Sequence, residues 1–150
     1  MPEKAWLLEA SEEIWEIEQT YLAAKTGESA RVRKIKTEET EKYILTVKRR
    51  ISDIRREETE REISKSEYET FLKEADPARK TICKTRYRIR GGNHIFEIDV
   101  FPFWNDRAFL EVELSHEDEA FCLPNEVYIL REVTEDRRYT NAALAREIPE

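Results

Sequence analysis

A mainly β fold with some helix, built as an antiparallel barrel or tunnel of about seven to eight strands, is the class this sequence predicts. Three observations carry it. Several short segments alternate apolar and charged residues with a period of two. Turn-forming residues separate those segments. The chain is 39% charged yet also 39% hydrophobic and 10% aromatic, enough apolar matter for a packed core. Its 150 residues fit one domain, 1–150.

The elements follow in order. Residues 2–14 read as a short helix or a loose lead-in, and Ile14–Ala23 as a strand. Lys25-Thr-Gly-Glu-Ser29 turns the chain into Ser29–Lys36, and a break at Thr37–Glu41 leads into Lys42–Arg50. That pair has the alternation of a hairpin. Arg56–Ile63 alternates again. Ser64 and Glu67 form a capping box, and Tyr68, Phe71, Leu72 and Ala75 then hold helical spacing up to Asp76-Pro77. Lys80–Arg90, His94–Phe101 and Ala108–Leu114 read as strands, the first two joined by Gly91-Gly92-Asn93. Thr134–Ile148 reads as a C-terminal helix with Thr134 as its cap.

Composition removes several functional classes. A net charge of −7 argues against a general nucleic-acid binder, though not against a local basic pocket for a small anion. Cys83 and Cys122 lie far apart, with neither metal spacing nor a disulfide framework, which points to a reduced, cytoplasmic setting. No apolar run approaches the ~20 residues of a membrane span, and the first residues lack the pattern of a signal peptide.

The charges are sorted. Residues two apart share a strand face, so Arg31 and Arg33 point one way. Arg56, Glu58 and Glu60 share a face, as do Lys84, Arg86, Arg88 and Arg90, opposite Cys83, Tyr87 and Ile89. Glu97 and Asp99 oppose Phe96, Ile98 and Val100, and Glu111 and Glu113 oppose Leu110, Val112 and Leu114. Two readings follow. One is an antiparallel sheet with a wet, salt-bridged side. The other closes the sheet so that the charges line a channel, where Arg and Lys would hold phosphate and paired carboxylates would hold Mg²⁺ or Mn²⁺.

At these residues the sequence resembles the CYTH, or triphosphate tunnel metalloenzyme, superfamily, which includes inorganic and thiamine triphosphatases and one class of adenylate cyclase. The similarity runs from about Ile17 to Leu144. It takes in Ile17-Glu-Gln-Thr-Tyr-Leu22, Arg31-x-Arg33, Leu45-Thr-Val-Lys48, Arg56-x-Glu58-x-Glu60, Lys84-Thr-Arg-Tyr87, Glu97-Ile-Asp-Val-Phe101, Glu111-Val-Glu113 and Val133–Asn141. The pieces are short; their joint order is the specific signal. The family's first strand, of form E-x-E-x-K, is expected to be absent: Glu16-Ile-Glu18-Gln-Thr20 ends in Thr and lies too close to Arg31. A missing first strand would leave an open barrel edge, at which a homodimer could form.

The resemblance implies a metal-dependent hydrolase that cleaves a triphosphate, inorganic triphosphate first, with Mg²⁺ or Mn²⁺. It implies Arg31, Arg33, Lys48, Arg56, Lys84 and Arg86 as phosphate ligands; their structural role would be pairing with carboxylates. Glu111 and Glu113 are the leading metal ligands, followed by Glu58, Glu60, Glu97 and Asp99. Lys84 and Tyr21 match the pair thought to activate water in some members. The alternatives are a catalytically impaired binder of polyphosphate or nucleotide, and a structural domain whose open edge recruits a strand. His94 and His116 are expected at the surface, Trp6, Trp15 and Trp104 in packing, and Cys83 on an apolar face.

Overall fold

The computed structural model describes residues 1–24, 27–52, 54–112, 114, 120–124, 126–130, 132–133, 138 and 144–145. Their elements are α1 (Lys4–Ala10), β1 (Glu13–Tyr21), β2 (Glu28–Lys36), β3 (Glu41–Arg50), β4 (Arg56–Ile63), α2 (Lys65–Leu72), β5 (Ile82–Gly91), β6 (His94–Val100) and β7 (Phe109–Val112). The seven strands form one sheet in the order β4-β3-β2-β1-β5-β6-β7. The ladders β2–β3, β3–β4, β5–β6 and β6–β7 are antiparallel. The fold is therefore mainly β, as the alternating segments imply. β4 and β7 end the order, and no ladder joins them among the described residues. Contacts group the chain into two compact units, Met1–Glu16 with Cys83–Glu132, and Ile17–Ile82 with Val133–Glu150.

In the first unit, Leu7 of α1 packs with Tyr87, Ile89 and Ile98. Helix α1 ends at Ser11, whose backbone N–H and hydroxyl both donate to the Leu7 carbonyl. The β5–β6 hairpin pairs Gly91 with His94 across Gly92-Asn93. Gly92 has φ +63°, the left-handed value that favours glycine at the first position of a type II′ turn. A Cβ on Gly91 would sit 2.6 Å from Cε2 of the buried Phe96 ring, so the backbone passes too close for any side chain. Phe101, Phe103, Trp104 and Phe109 form a second apolar cluster, most of its ring pairs edge-on. Cys83, expected on the apolar face, is exposed. The cover supplied by α1 reaches Tyr87 and Ile89, while at the start of β5 it is Ile82 and Lys84 that are buried.

In the second unit, Leu22, Val32, Tyr43, Ile63 and Tyr68 form the core. The capping box is made in full: Glu67 N–H donates to Ser64 Oγ at 3.1 Å, and Ser64 N–H donates to Glu67 Oε1 at 3.2 Å. Helix α2 stops at Leu72 rather than running to Ala75, because Ala75 is taken by an antiparallel bridge to Leu22. The expected C-terminal helix lies outside the described residues except at 138 and 144–145, as does His116. No helix among the described residues is long and apolar enough to cross a membrane.

Candidate functional site

The charged face of the first unit is set by register. Antiparallel pairing puts Arg86 opposite Asp99, Arg88 opposite Glu97, and Glu97 opposite Glu111. Residues directly opposite share a face, so cations and carboxylates interleave. Arg86 grips Asp99 bidentately, Nε to Oδ1 at 2.8 Å and Nη2 to Oδ2 at 3.0 Å. Lys84 Nζ lies 2.9 Å from Asp99 Oδ2, and the Lys84 side chain is 1% exposed. Burial would raise the Asp99 pKa, but the Arg86 hydrogen bond and the Lys84 charge prevail and hold it below the ordinary aspartate range. Burial likewise opposes the Arg86 charge, yet Asp99, Glu97 and Glu111 hold its pKa above the usual arginine value. Arg88 lies 3.2 Å from Glu97, donates to Glu13 at 2.8 Å and stacks over Trp15 at 4.9 Å.

The charged face of the second unit is built differently. Pairing aligns Ser29, Lys48 and Glu58 in one row, and Arg31, Thr46 and Glu60 in the next. The basic side chains come from β2, β3 and, with Arg56, the start of β4; the carboxylates stand exposed on β4. Among the described residues, Arg31, Lys48 and Arg56 make no ion pair, although Glu58 is directly opposite Lys48. Arg31 is half-buried and its Nε has no hydrogen-bond partner. Arg33 donates through Nε and Nη2 to Oε1 of Gln19, at 3.2 and 2.9 Å. Gln19 is 0% exposed. Tyr21 is buried with the Arg79 guanidinium 5.0 Å above its ring.

No protein-family profile matches the chain. The inorganic triphosphatase of Nitrosomonas europaea is 34% identical over 137 residues, covering 89% of this chain and 85% of that protein. The chain belongs to the CYTH-like triphosphatase family. The crystal structure of the inorganic triphosphatase NE1496 superposes with a TM-score of 0.62 at 31% identity, over 91% of this chain and 85% of the other. A protein of Pyrococcus horikoshii OT3, 19% identical over 78% of this chain and 77% of its own, shares the fold with a TM-score of 0.51.

Against this triphosphatase family, the structure brings the sequence-derived residues together in two sets. Lys84, Arg86, Glu97, Asp99 and Glu111 share the β5–β7 face. Arg31, Arg33, Lys48, Arg56, Glu58 and Glu60 share the β2–β4 face. Glu113 lies outside the described residues. Both Asp99 oxygens are occupied by cations, and the Lys84 ammonium expected among cations rests on this carboxylate instead. Among the described residues no three acidic, His or Cys side chains gather closely enough to enclose a metal. Gln19 carried no role in the sequence reading. The signal was there as a polar residue in the Ile17, Gln19, Tyr21 register, the buried face of β1.

Proposed function

We propose that the chain hydrolyses inorganic triphosphate to diphosphate and phosphate with a divalent cation. The observation that carries this reading is the β2–β3 basic face, where Arg31 and Lys48 stand without carboxylate partners among the described residues, in a chain 34% identical to an inorganic triphosphatase. Phosphate oxygens are the acceptors such a face fits. Arginine binds them in a planar fork and lysine as a point charge. Arg31, Arg33, Lys48 and Arg56 would bind oxygens of the triphosphate, and in the other unit Asp99 keeps Lys84 and Arg86 in place.

Glu97 and Glu111 would hold the metal. They face one another across β6–β7, with Arg88 3.2 Å and Arg86 3.7 Å from Glu97, so a metal would share Glu97 with these cations. Mg²⁺ is commonly held by one or two carboxylates with water and substrate phosphates completing the shell, so a set of three is not required. Glu58, Glu60 and Glu113 are further candidates, while Asp99 serves to orient Lys84 and Arg86. When bound, Mg²⁺ or Mn²⁺ supplies Lewis acidity at a phosphoryl oxygen. The water oxygen bonds to the terminal phosphorus, the bridging P–O bond breaks, and diphosphate leaves.

The test is phosphate release from inorganic triphosphate with Mg²⁺ or Mn²⁺ against an EDTA control. One phosphate per triphosphate is expected, with diphosphate left uncleaved. Glu111→Gln should lower kcat and raise the metal concentration needed for half-maximal rate. Absence of release with either metal would overturn the reading.

A further inference from the structure

The turn between β3 and β4 reads Arg49-Arg50-Ile51-Ser52-Asp53-Ile54-Arg55-Arg56, two isoleucines flanked on each side by a pair of arginines. Ile54 is 98% exposed and Ile51 51%, and the four arginines are exposed as well. Hydrogen bonds fix the shape of the turn. Ile51 N–H and Ser52 N–H donate to the Arg55 carbonyl at 3.0 and 3.1 Å, and Arg55 N–H donates to Ser52 Oγ at 3.1 Å. Arg50 N–H donates to the Gly27 carbonyl at 2.8 Å, which ties the tip to the turn between β1 and β2. Single exposed isoleucines are ordinary. Two of them on a closed turn, with four cations beside them, match a surface that is anionic outside and apolar beneath.

We propose that this tip is a peripheral docking site for an anionic lipid surface. Ile51 and Ile54 enter the boundary between headgroups and acyl chains, and the arginines bind lipid phosphates behind them. The order along the chain selects the partner. Isoleucines hold the apex and arginines the flanks, so apolar matter leads and cations follow. A nucleic-acid duplex presents phosphates outermost, and the apical isoleucines would gain nothing there without unstacking bases. The carboxylates of β4 do not cancel the patch. Register sets Glu57 against Arg49 and Glu58 against Lys48. Glu60 and Glu62 lie roughly 13 and 20 Å behind Arg56 at about 3.3 Å per residue, beyond the screening length of ~10 Å at 0.1 M salt. Arg49 lies 3.8 Å from Glu28, yet its side chain remains 64% exposed. Asp53 subtracts one charge from the four arginines, and the chain's net charge of −7 opposes adsorption by other surfaces. This is adsorption, not a membrane span, and it does not depend on the hydrolase reading.

The experiment is co-sedimentation of the full chain with vesicles in about 0.1 M salt. One set is phosphatidylcholine alone; the other is equal parts phosphatidylcholine and phosphatidylglycerol. Wild type should bind the mixed vesicles and not the neutral ones, and its affinity should fall steeply in about 0.5 M salt. Ile54→Ser should weaken binding about tenfold, the loss of one partly buried aliphatic side chain. Arg55→Gln should weaken it about fivefold, and Asp53→Asn should strengthen it by about as much. In Ile54→Ser, Tm and phosphate release should match wild type, because the side chain is 98% exposed and belongs to neither charged face. Absence of binding, equal binding to both vesicle sets, or unchanged binding by Ile54→Ser would overturn the proposal. So would tighter binding to duplex DNA than to mixed vesicles, which would make the tip a nucleic-acid contact. Self-association in solution that Ile54→Ser abolishes, without vesicle binding, would overturn it in favour of a contact between copies.

Discussion

The two charged faces begin from the same alternating pattern and end in opposite electrostatic states. On β5–β7 the cations are matched inside the protein: Asp99 takes Arg86 and Lys84, and Glu97 takes Arg88. On β2–β4, Arg31, Lys48 and Arg56 make no ion pair among the described residues, and the half-buried Arg33 donates to the amide oxygen of Gln19. Register sets opposite charges against each other on both faces, Glu58 against Lys48 as well as Asp99 against Arg86, so burial explains the difference. Strands β5 and β6 set basic directly against acidic positions in the interior of the ladder, while the acidic positions of β4 lie on an exposed edge strand. A face already neutralised is suited to rigidity. A face with cations left over is suited to an anion from outside.

The largest effect that would break this comparison is at Asp99. Asp99→Asn would take the carboxylate charge from both the buried Lys84 ammonium and the Arg86 fork, a loss of about 3–5 kcal/mol and a Tm drop on the order of 10 °C. The matching change on the other face, Glu60→Gln, should leave Tm within about 2 °C, since Glu60 is exposed and pairs with nothing described. Equal losses would show that the two faces are electrostatically alike. The pH dependence follows in sign. The folded-state pKa of Asp99 is depressed, so its contribution is full above the ordinary aspartate value of ~4 and is lost as pH falls through the lower folded value. Measured in EDTA, the Tm gap between wild type and Asp99→Asn should be widest near neutrality and should close in acid.

Next in size is binding. Arg31→Ala or Lys48→Ala should raise KM for triphosphate about tenfold to a hundredfold, the cost of a charge-assisted hydrogen bond. Tm should barely move, because neither cation supports a carboxylate among the described residues. A large fall in Tm with unchanged KM would make them structural cations and reverse the comparison.

Much of this was legible in the sequence. Period-two alternation located the half-buried strands to within a few residues, because their side chains must alternate; Arg56–Ile63 was located to the residue although all its side chains but that of Ile63 are exposed. The capping box was readable because its partners are three residues apart. What depends on distant pairing was not. Which carboxylate takes Lys84 is decided by the β5–β6 register, and the exposure of Cys83 by how far α1 covers β5. Neither is written in local spacing. Gln19 escaped notice because a single glutamine in a strand looks like a solvated residue until its burial is known.

The smallest prediction sharpens the comparison by separating burial from pairing. Arg90 donates to Glu12 at 2.9 Å, as short a contact as that of Lys84 with Asp99, but the two side chains are 57% and 50% exposed. In water the Coulomb attraction is screened, and both ends remain hydrated when the pair is broken. Glu12→Gln should therefore shift Tm by less than about 2 °C, and the shift should vanish in 0.5–1 M salt, where the screening length falls to roughly 3–4 Å. A loss comparable to that of Asp99→Asn would mean that distance alone sets the value of these pairs. The contrast between the faces would then have to be sought in the number of ion pairs, not in their enclosure.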